Sequence, residues 1–179
     1  MQEHDLLRIA CAPASYYRPW RAAYAGLQPA QQRWLNAQLL QQRMLALPER
    51  LELPRDPLAR QLVRQWSQLP QVALLMAAAR LRRWVLSERA SAALPVAVHA
   101  FMRLGHAEAS GPRPAQDVAT PDQLMAWGSV GVLACCAQLP AWLYARLPLH
   151  FSGLPLPAVS DAADPDLLWS ALHHAEKVS

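Results

Sequence analysis

The sequence predicts an all-α fold, a single compact domain over residues 1–179 with about seven short helices packed around a central one. Three observations carry this prediction. Alanine, leucine, glutamine and arginine dominate, while glycine is sparse at 6 residues and β-branched residues are few. The 16 prolines fall mostly where helices start or stop, as at Pro29, Pro48, Pro57, Pro70, Pro121, Pro140 and Pro165. The stretch from Leu69 to Gly105 is the most apolar and helix-prone part of the chain. Within it, Val72, Leu75, Ala79 and Leu86 form one stripe, and Leu74, Ala78, Leu81 and Val85 form a second. At about 100° per residue the stripes merge into an arc covering roughly half the helix, so the helix must be covered on several sides. Arg80, Arg83 and Ser87 line up as a polar strip on its far side.

The other elements follow in order. Pro19 opens a short helix ending at Gly26, a glycine suited to the position after a helix. Pro29 opens a second helix to about Leu47, with Trp34, Leu35, Leu39 and Leu40 inward. The connector PERLELPRDP leads to a third helix from Pro57 to about Gln68, burying Leu58, Leu62, Val63 and Trp66. The central helix runs from Pro70 to near Ser87. Pro95 makes a continuous helix through Ala93 costly, so a kink or a fresh start is expected there, giving a helix to Leu104 capped by Gly105. Residues 106–119 hold little apolar material and read as a mobile loop. Thr120-Pro121-Asp122-Gln123 reads as a capped helix entry with a capping-box glutamine. On that helix Gly128 and Gly131 leave room for a close neighbour. Pro140 opens a short helix to about Arg146, residues 148–163 should lie extended across the core, and Asp164-Pro165 opens the last helix. The seven tryptophans fall one per helix, with Phe101 instead in the helix that ends at Leu104, as core anchors would.

Length and charge narrow the class. At 179 residues the chain supports one core. Residues 1–104 hold fourteen Arg against six Asp/Glu, and residues 105–179 hold three Arg/Lys against seven Asp/Glu. A basic and an acidic face follow, which suits a protein docked between unlike partners and equally suits nucleic-acid binding. Cys11, Cys135 and Cys136 make no disulfide framework. The run Leu124–Ala145 carries no charge over twenty-two residues, and a bilayer needs about 20. Its glycines, Ser129, Gln138 and Pro140 make it two buried helices broken near Leu139-Pro140.

No catalytic or metal constellation emerges. Cys135 and Cys136 point about 100° apart on a helix and cannot both face one ligand. No CxxC, HxxxH or HExxH spacing exists. His173-His174 suits a helix C-terminus, and His99 and His106 could share a face. Phosphate-cradling and serine-hydrolase motifs are missing. A thiol nucleophile at Cys11 has no partner fixed by sequence. Arg80, Arg83 and Ser87 remain: either a solvated face or an arginine cluster that meets an acidic partner.

Three stretches, in order, resemble the SctK family of type III secretion sorting-platform adaptors (YscK, PscK and relatives). Cys11-Ala-Pro13-Ala14-Ser-Tyr16 resembles its early Pro-Ala-x-Tyr motif, Leu81-Arg82-Arg83-Trp-Val85-Leu86 its arginine-pair helix, and Leu139-Pro-Ala-Trp142-Leu-Tyr-Ala-Arg146-Leu147-Pro-Leu149 its tryptophan-arginine-leucine segment. The chain departs from the pattern where Tyr17-Arg18 stand in place of a histidine after the motif tyrosine. The resemblance implies a cytoplasmic adaptor, neither enzyme nor cofactor protein, at the cytosolic face of the inner membrane without inserting into it. It would link the cytoplasmic domain of the inner-membrane ring protein (SctD-like) to the pod protein (SctQ-like), with no nucleic acid. Arg80, Arg83 and Ser87, with Tyr16 and Arg18 of the N-terminal segment, are the expected interaction residues. A small basic helical nucleic-acid-binding module is the alternative.

Overall fold

The structure, a computed structural model, describes residues 2–52, 54–87, 94–106, 120–155 and 163–178, without the side chains of Gln2, Glu3, Ser87 and Val178. The loop expected at 106–119 lies outside these residues apart from His106. Among the described residues the chain forms ten α-helices, three short 3-10 segments and no strand. The all-α class therefore holds. The helices group into two compact units, 1–67 with 136–153, and 68–135 with 154–179.

The first unit holds α1 (Gln2–Cys11), α2 (Arg18–Tyr24), α3 (Pro29–Gln42), α4 (Pro57–Arg64) and α9 (Ala141–Tyr144), with 3-10 turns at Pro13–Ser15 and Leu147–Phe151. Helix α1 was not anticipated, yet Leu6, Ile9 and Ala10 have helical spacing and are buried. It packs on α4 and α9. Asp56 caps α4 by accepting the Ala59 N–H at 2.7 Å. Helix α3 stops at Gln42 rather than Leu47. Met44 takes φ +50, and the Leu45 N–H bonds back to the Leu40 carbonyl at 2.9 Å, closing the helix in a left-handed turn. Gly26 follows α2 without a positive φ. The buried face of α3 is Asn36 and Leu39, while Trp34 is 63% exposed rather than inward. Asn36 goes inside because its amide is used there. It accepts the Ala14 N–H and donates to the Tyr24 hydroxyl, each at 2.9 Å. Residues 147–151 wind into a 3-10 turn instead of an extended strap.

The second unit holds α5 (Leu69–Arg80), α6 (Arg82–Ser87), α7 (Val96–Met102), α8 (Pro121–Cys135) and α10 (Pro165–Val178). Here the central-helix expectation holds for α5, in which every residue from Val72 to Ala79 is buried. Helices α6, α7, α8 and α10 all touch it. The stretch read as one helix to Ser87 breaks at Leu81, whose ψ of 18° turns the chain before α6. Gly105 closes the α7 region with φ +72. Thr120 and Gln123 form the expected reciprocal cap of α8, with bonds of 3.2 and 2.9 Å. Asp164 caps α10 by accepting the Leu167 N–H at 3.0 Å. The uncharged run breaks after Cys135 at the end of α8, and no helix among the described residues is long and apolar enough to cross a membrane.

Tryptophan does not supply the core as expected. Only Trp66 is fully buried; Trp20, Trp84, Trp127, Trp142 and Trp169 are half-buried. Leucine, alanine and Phe101 fill the interior instead. Small residues are what the α5–α8 contact requires. A methyl group at Gly128 would sit 1.7 Å from the Ala73 carbonyl oxygen. That clash is with backbone and cannot be relieved by a rotamer change. Gly128→Ala should therefore lower unfolding free energy by about 3 kcal/mol or more, despite alanine's better helix propensity. Urea denaturation checks this, and unchanged stability would show that α8 does not lie so close to α5.

Candidate functional site

The residues expected to meet a partner do not form one surface. Arg80, at the end of α5, is turned inward: its side chain is 16% exposed and lies 4.0 Å from the Asp164 carboxylate. It belongs to the internal electrostatics of the second unit. Arg83 lies beyond the break at Leu81, on α6, and is exposed. Ser87 ends α6, and its side chain is outside the described part of the structure. The single polar strip of Arg80, Arg83 and Ser87 is thus corrected to one inward arginine and one outward arginine on separate helices.

Tyr16 is likewise corrected from surface to core. It is 4% exposed, and its hydroxyl donates to the Ile9 carbonyl at 2.7 Å. Its ring stacks on His150 at 5.0 Å and meets the edge of Trp66 at 5.6 Å. Burial pushes the Tyr16 phenol up, with the adjacent Arg146 guanidinium opposing the shift. Arg18 is half-buried at the start of α2 and lies beside Gly153, whose added Cβ would come 3.9 Å from its guanidinium.

The first and third of the quoted stretches converge in this unit. Arg146 is fully buried and donates to the Trp142 carbonyl at 2.7 Å and the Ala10 carbonyl at 2.9 Å. Ala10 belongs to the last turn of α1, where unpaired carbonyls carry partial negative charge. The guanidinium also lies 5.5 Å from the Trp142 ring. Pro13 and Ala14 are buried with Tyr16. These motif residues therefore build a core, in which an arginine replaces the usual apolar plug. A signal was present in the sequence: Arg146 follows an apolar helix with no acid within helical reach.

The second unit offers a surface that sequence reading missed. Arg82, Leu86, His99, Met102 and Arg103 line an open groove of about 350 Å³. Arg82 is held by a 3.2 Å bond to the Met102 carbonyl. Leu86 is 57% exposed, and Arg83 and Arg103 are exposed beside these helical segments. The result is an apolar floor with a cationic rim. His106 meets Ser170 at 3.2 Å and His174 reaches the Ala97 carbonyl at 2.9 Å, and both rings pack on Phe101, at 4.7 and 5.2 Å. The Cys135 thiol accepts the Asp164 N–H at 3.2 Å. Among the described residues no group of three metal-ligating side chains gathers.

A family model described as bacterial type III secretion apparatus protein (OrgA_MxiK) matches residues 6–177. The chain belongs to this family of type III secretion apparatus proteins, the same family its motifs resemble. No curated protein and no solved structure matches it.

His150 gives the motif core a pH signature. Burial, then the charges of Arg21 and Arg8, push its imidazole down to about 3. Neither ring nitrogen has a hydrogen-bond partner among the described residues. The unfolded chain binds this proton near pH 6.5 while the folded chain refuses it, so the stability contribution is present above pH 6.5 and is lost as pH falls toward 3. His150→Phe should keep the ring contacts with Tyr16, match or exceed wild-type stability at pH 7, and lose less stability than wild type between pH 6.5 and 4. Denaturation of the two proteins across that range measures the difference. Parallel pH profiles would place His150 in a solvated site.

Proposed function

We propose that the chain is a non-enzymatic structural adaptor of the injectisome. In this reading it works at the cytosolic face of the inner membrane, joining the cytoplasmic domain of the inner-membrane ring protein to the pod protein of the sorting platform. It needs no cofactor and no nucleic acid. Family membership over residues 6–177 is the observation that carries the reading. The groove of the second unit supports it. An exposed leucine between arginines fits an acidic segment with one apolar side chain, and arginine pairs carboxylates with two parallel hydrogen bonds. The basic bias of residues 1–104 would steer such a partner toward the protein.

The direct test is binding of the purified chain to each of the two partners. Charge change at Arg83 and Arg103 then probes the groove. Arg83→Glu suits an exposed helix position. Arg103→Gln avoids placing a carboxylate at the C-terminal end of α7. The double variant should keep its helix content and associate about tenfold more slowly with one partner at low salt, the gap narrowing as salt rises. Equal rates at low salt would remove the groove from the interface. Failure of the wild-type chain to bind either partner would remove the adaptor reading itself. Steeply salt-dependent binding to random duplex DNA would favour the nucleic-acid alternative.

A further inference from the structure

Helix α3 turns toward solvent a face unlike a solvated one. Its residues, Pro29–Gln42, carry a single charge, Arg33. Asn36 and Leu39 point inward. On the other side Ala30, Trp34, Ala37 and Gln41 are all exposed, and at about 100° per residue they fall within an arc of roughly 60°. A helix face left to water ordinarily carries charged residues. This row has none, and its tryptophan is 63% exposed.

The row has the spacing of a helix-pairing seam. Its steps are of four, three and four residues, and a further step of three reaches Met44. That alternation keeps one stripe against a second helix. Met44 follows the end of α3 with φ +50, a conformation that favours glycine. Its side chain is 90% exposed. A methionine at this position accepts steric strain, and its own chain gives the side chain almost no cover in return.

The row is also complementary to itself. In a two-fold contact the same patch serves both copies, so each pairing occurs twice. With two α3 helices antiparallel, setting Trp34 against Ala37 of the second copy fixes the register. Ala30 then meets Gln41, and the half-buried Leu27 meets Met44. The larger side chains of the helical row, Trp34 and Gln41, thus each face an alanine, as knobs face holes. A parallel in-register pair would set indole on indole and Arg33 beside Arg33. No carboxylate is desolvated in the antiparallel pair, because α3 holds none. The contact is small, since a helix of this length spans about 21 Å. One such face per copy lies at the low end of specific interfaces, which corresponds to a dimer with a Kd on the order of 10–100 µM.

We propose that the outer face of α3 is a self-association surface, on which a second copy of this chain docks antiparallel with Trp34 of each copy over Ala37 of the other. The proposal goes beyond the adaptor reading and is independent of it, since it uses neither the groove of the second unit nor an apparatus partner.

Sedimentation equilibrium of the full chain tests it, over about 5–500 µM to bracket that Kd. The weight-average mass should rise from 19.9 kDa toward twice that value. Trp34→Ala should weaken association at least tenfold, as loss of a central tryptophan does. Ala37→Trp should weaken it as much, by setting indole against indole. Trp34→Ala/Ala37→Trp exchanges knob and hole within the same layer and should restore wild-type association. Both positions are exposed, so all three variants should keep the wild-type melting temperature. A wild-type mass that stays at 19.9 kDa, undiminished association of Trp34→Ala, or a folded exchange variant as weak as the single ones would each overturn the proposal. If the wild-type chain stays monomeric and Trp34→Ala instead loses affinity for the ring protein's cytoplasmic domain or the pod protein, the face belongs to that partner. The proposal then falls and the adaptor reading stands. A chain that dimerises through this register and binds neither partner leaves the proposal standing and removes the adaptor reading.

Discussion

A buried guanidinium with no carboxylate partner among the described residues is the constraint on which the first unit depends. Removing a full charge from water costs several kcal/mol, and Arg146 is fully buried. Its compensation comes from carbonyl oxygens and an aromatic face: Ala10 at 2.9 Å, Trp142 at 2.7 Å, and the Trp142 ring at 5.5 Å. The Ala10 bond spans 136 residues of sequence. It attaches the segment around α9 to the last turn of α1. Desolvation lowers the arginine's own proton affinity, while the neighbouring Tyr16 opposes that shift. With α1 held in this way, Tyr16 returns its hydroxyl to Ile9 and stacks on His150. The Pro-Ala-x-Tyr stretch and the tryptophan-arginine-leucine stretch are therefore two halves of one packing arrangement. These two motifs maintain the core of the first unit, whereas Arg82 and Leu86 of the arginine-pair stretch line the open groove of the second.

The second unit is organised by close approach instead of charge. Residues of α5 are buried along nearly their whole length, and Gly128 lets α8 settle against the Ala73 backbone. Helix α10 adds Leu167, Leu168, Ala171 and Leu172 to the buried set. Asp164 serves this unit twice, capping α10 and lying beside Arg80. Reversing the charge at Arg80 would set two carboxylates against each other, so it cannot serve as a clean probe of binding. Arg83, on the other side of the Leu81 break, is free of that complication.

Local features were legible in the sequence, and long-range ones were not. Proline at helix starts, the Thr120–Gln123 box, Asp164 before Pro165 and the Gly105 stop each depend on a few neighbouring residues. The apolar arc of α5 was legible because it is continuous. Helix α1 was missed although its apolar spacing is helical, since its polar start masked the Leu6, Ile9 and Ala10 pattern. The inward assignment of Trp34 failed because the apolar residues of α3 are spread around the helix. The buried face was chosen by the Asn36 amide, through bonds to Ala14 and Tyr24 that no local pattern reports. The break at Leu81 carries neither proline nor glycine. Arg146 is legible in the sequence as a motif residue, but its burial is not, because that depends on the Ala10 carbonyl of α1, far away in sequence.

The central claim is that Arg146 stabilises the first unit as a charged donor to carbonyls, not merely as bulk. Arg146→Met keeps similar length and apolar volume, removes the buried charge, and leaves the Ala10 and Trp142 carbonyls without this donor. Buried ionic groups replaced by apolar ones sometimes leave stability unchanged or raise it, so the experiment has a real alternative outcome. Urea denaturation at pH 7 should show the methionine variant less stable by about 3 kcal/mol, as expected for loss of two hydrogen bonds from a charged donor. Stability equal to or above wild type would show that shape alone holds the motif core together.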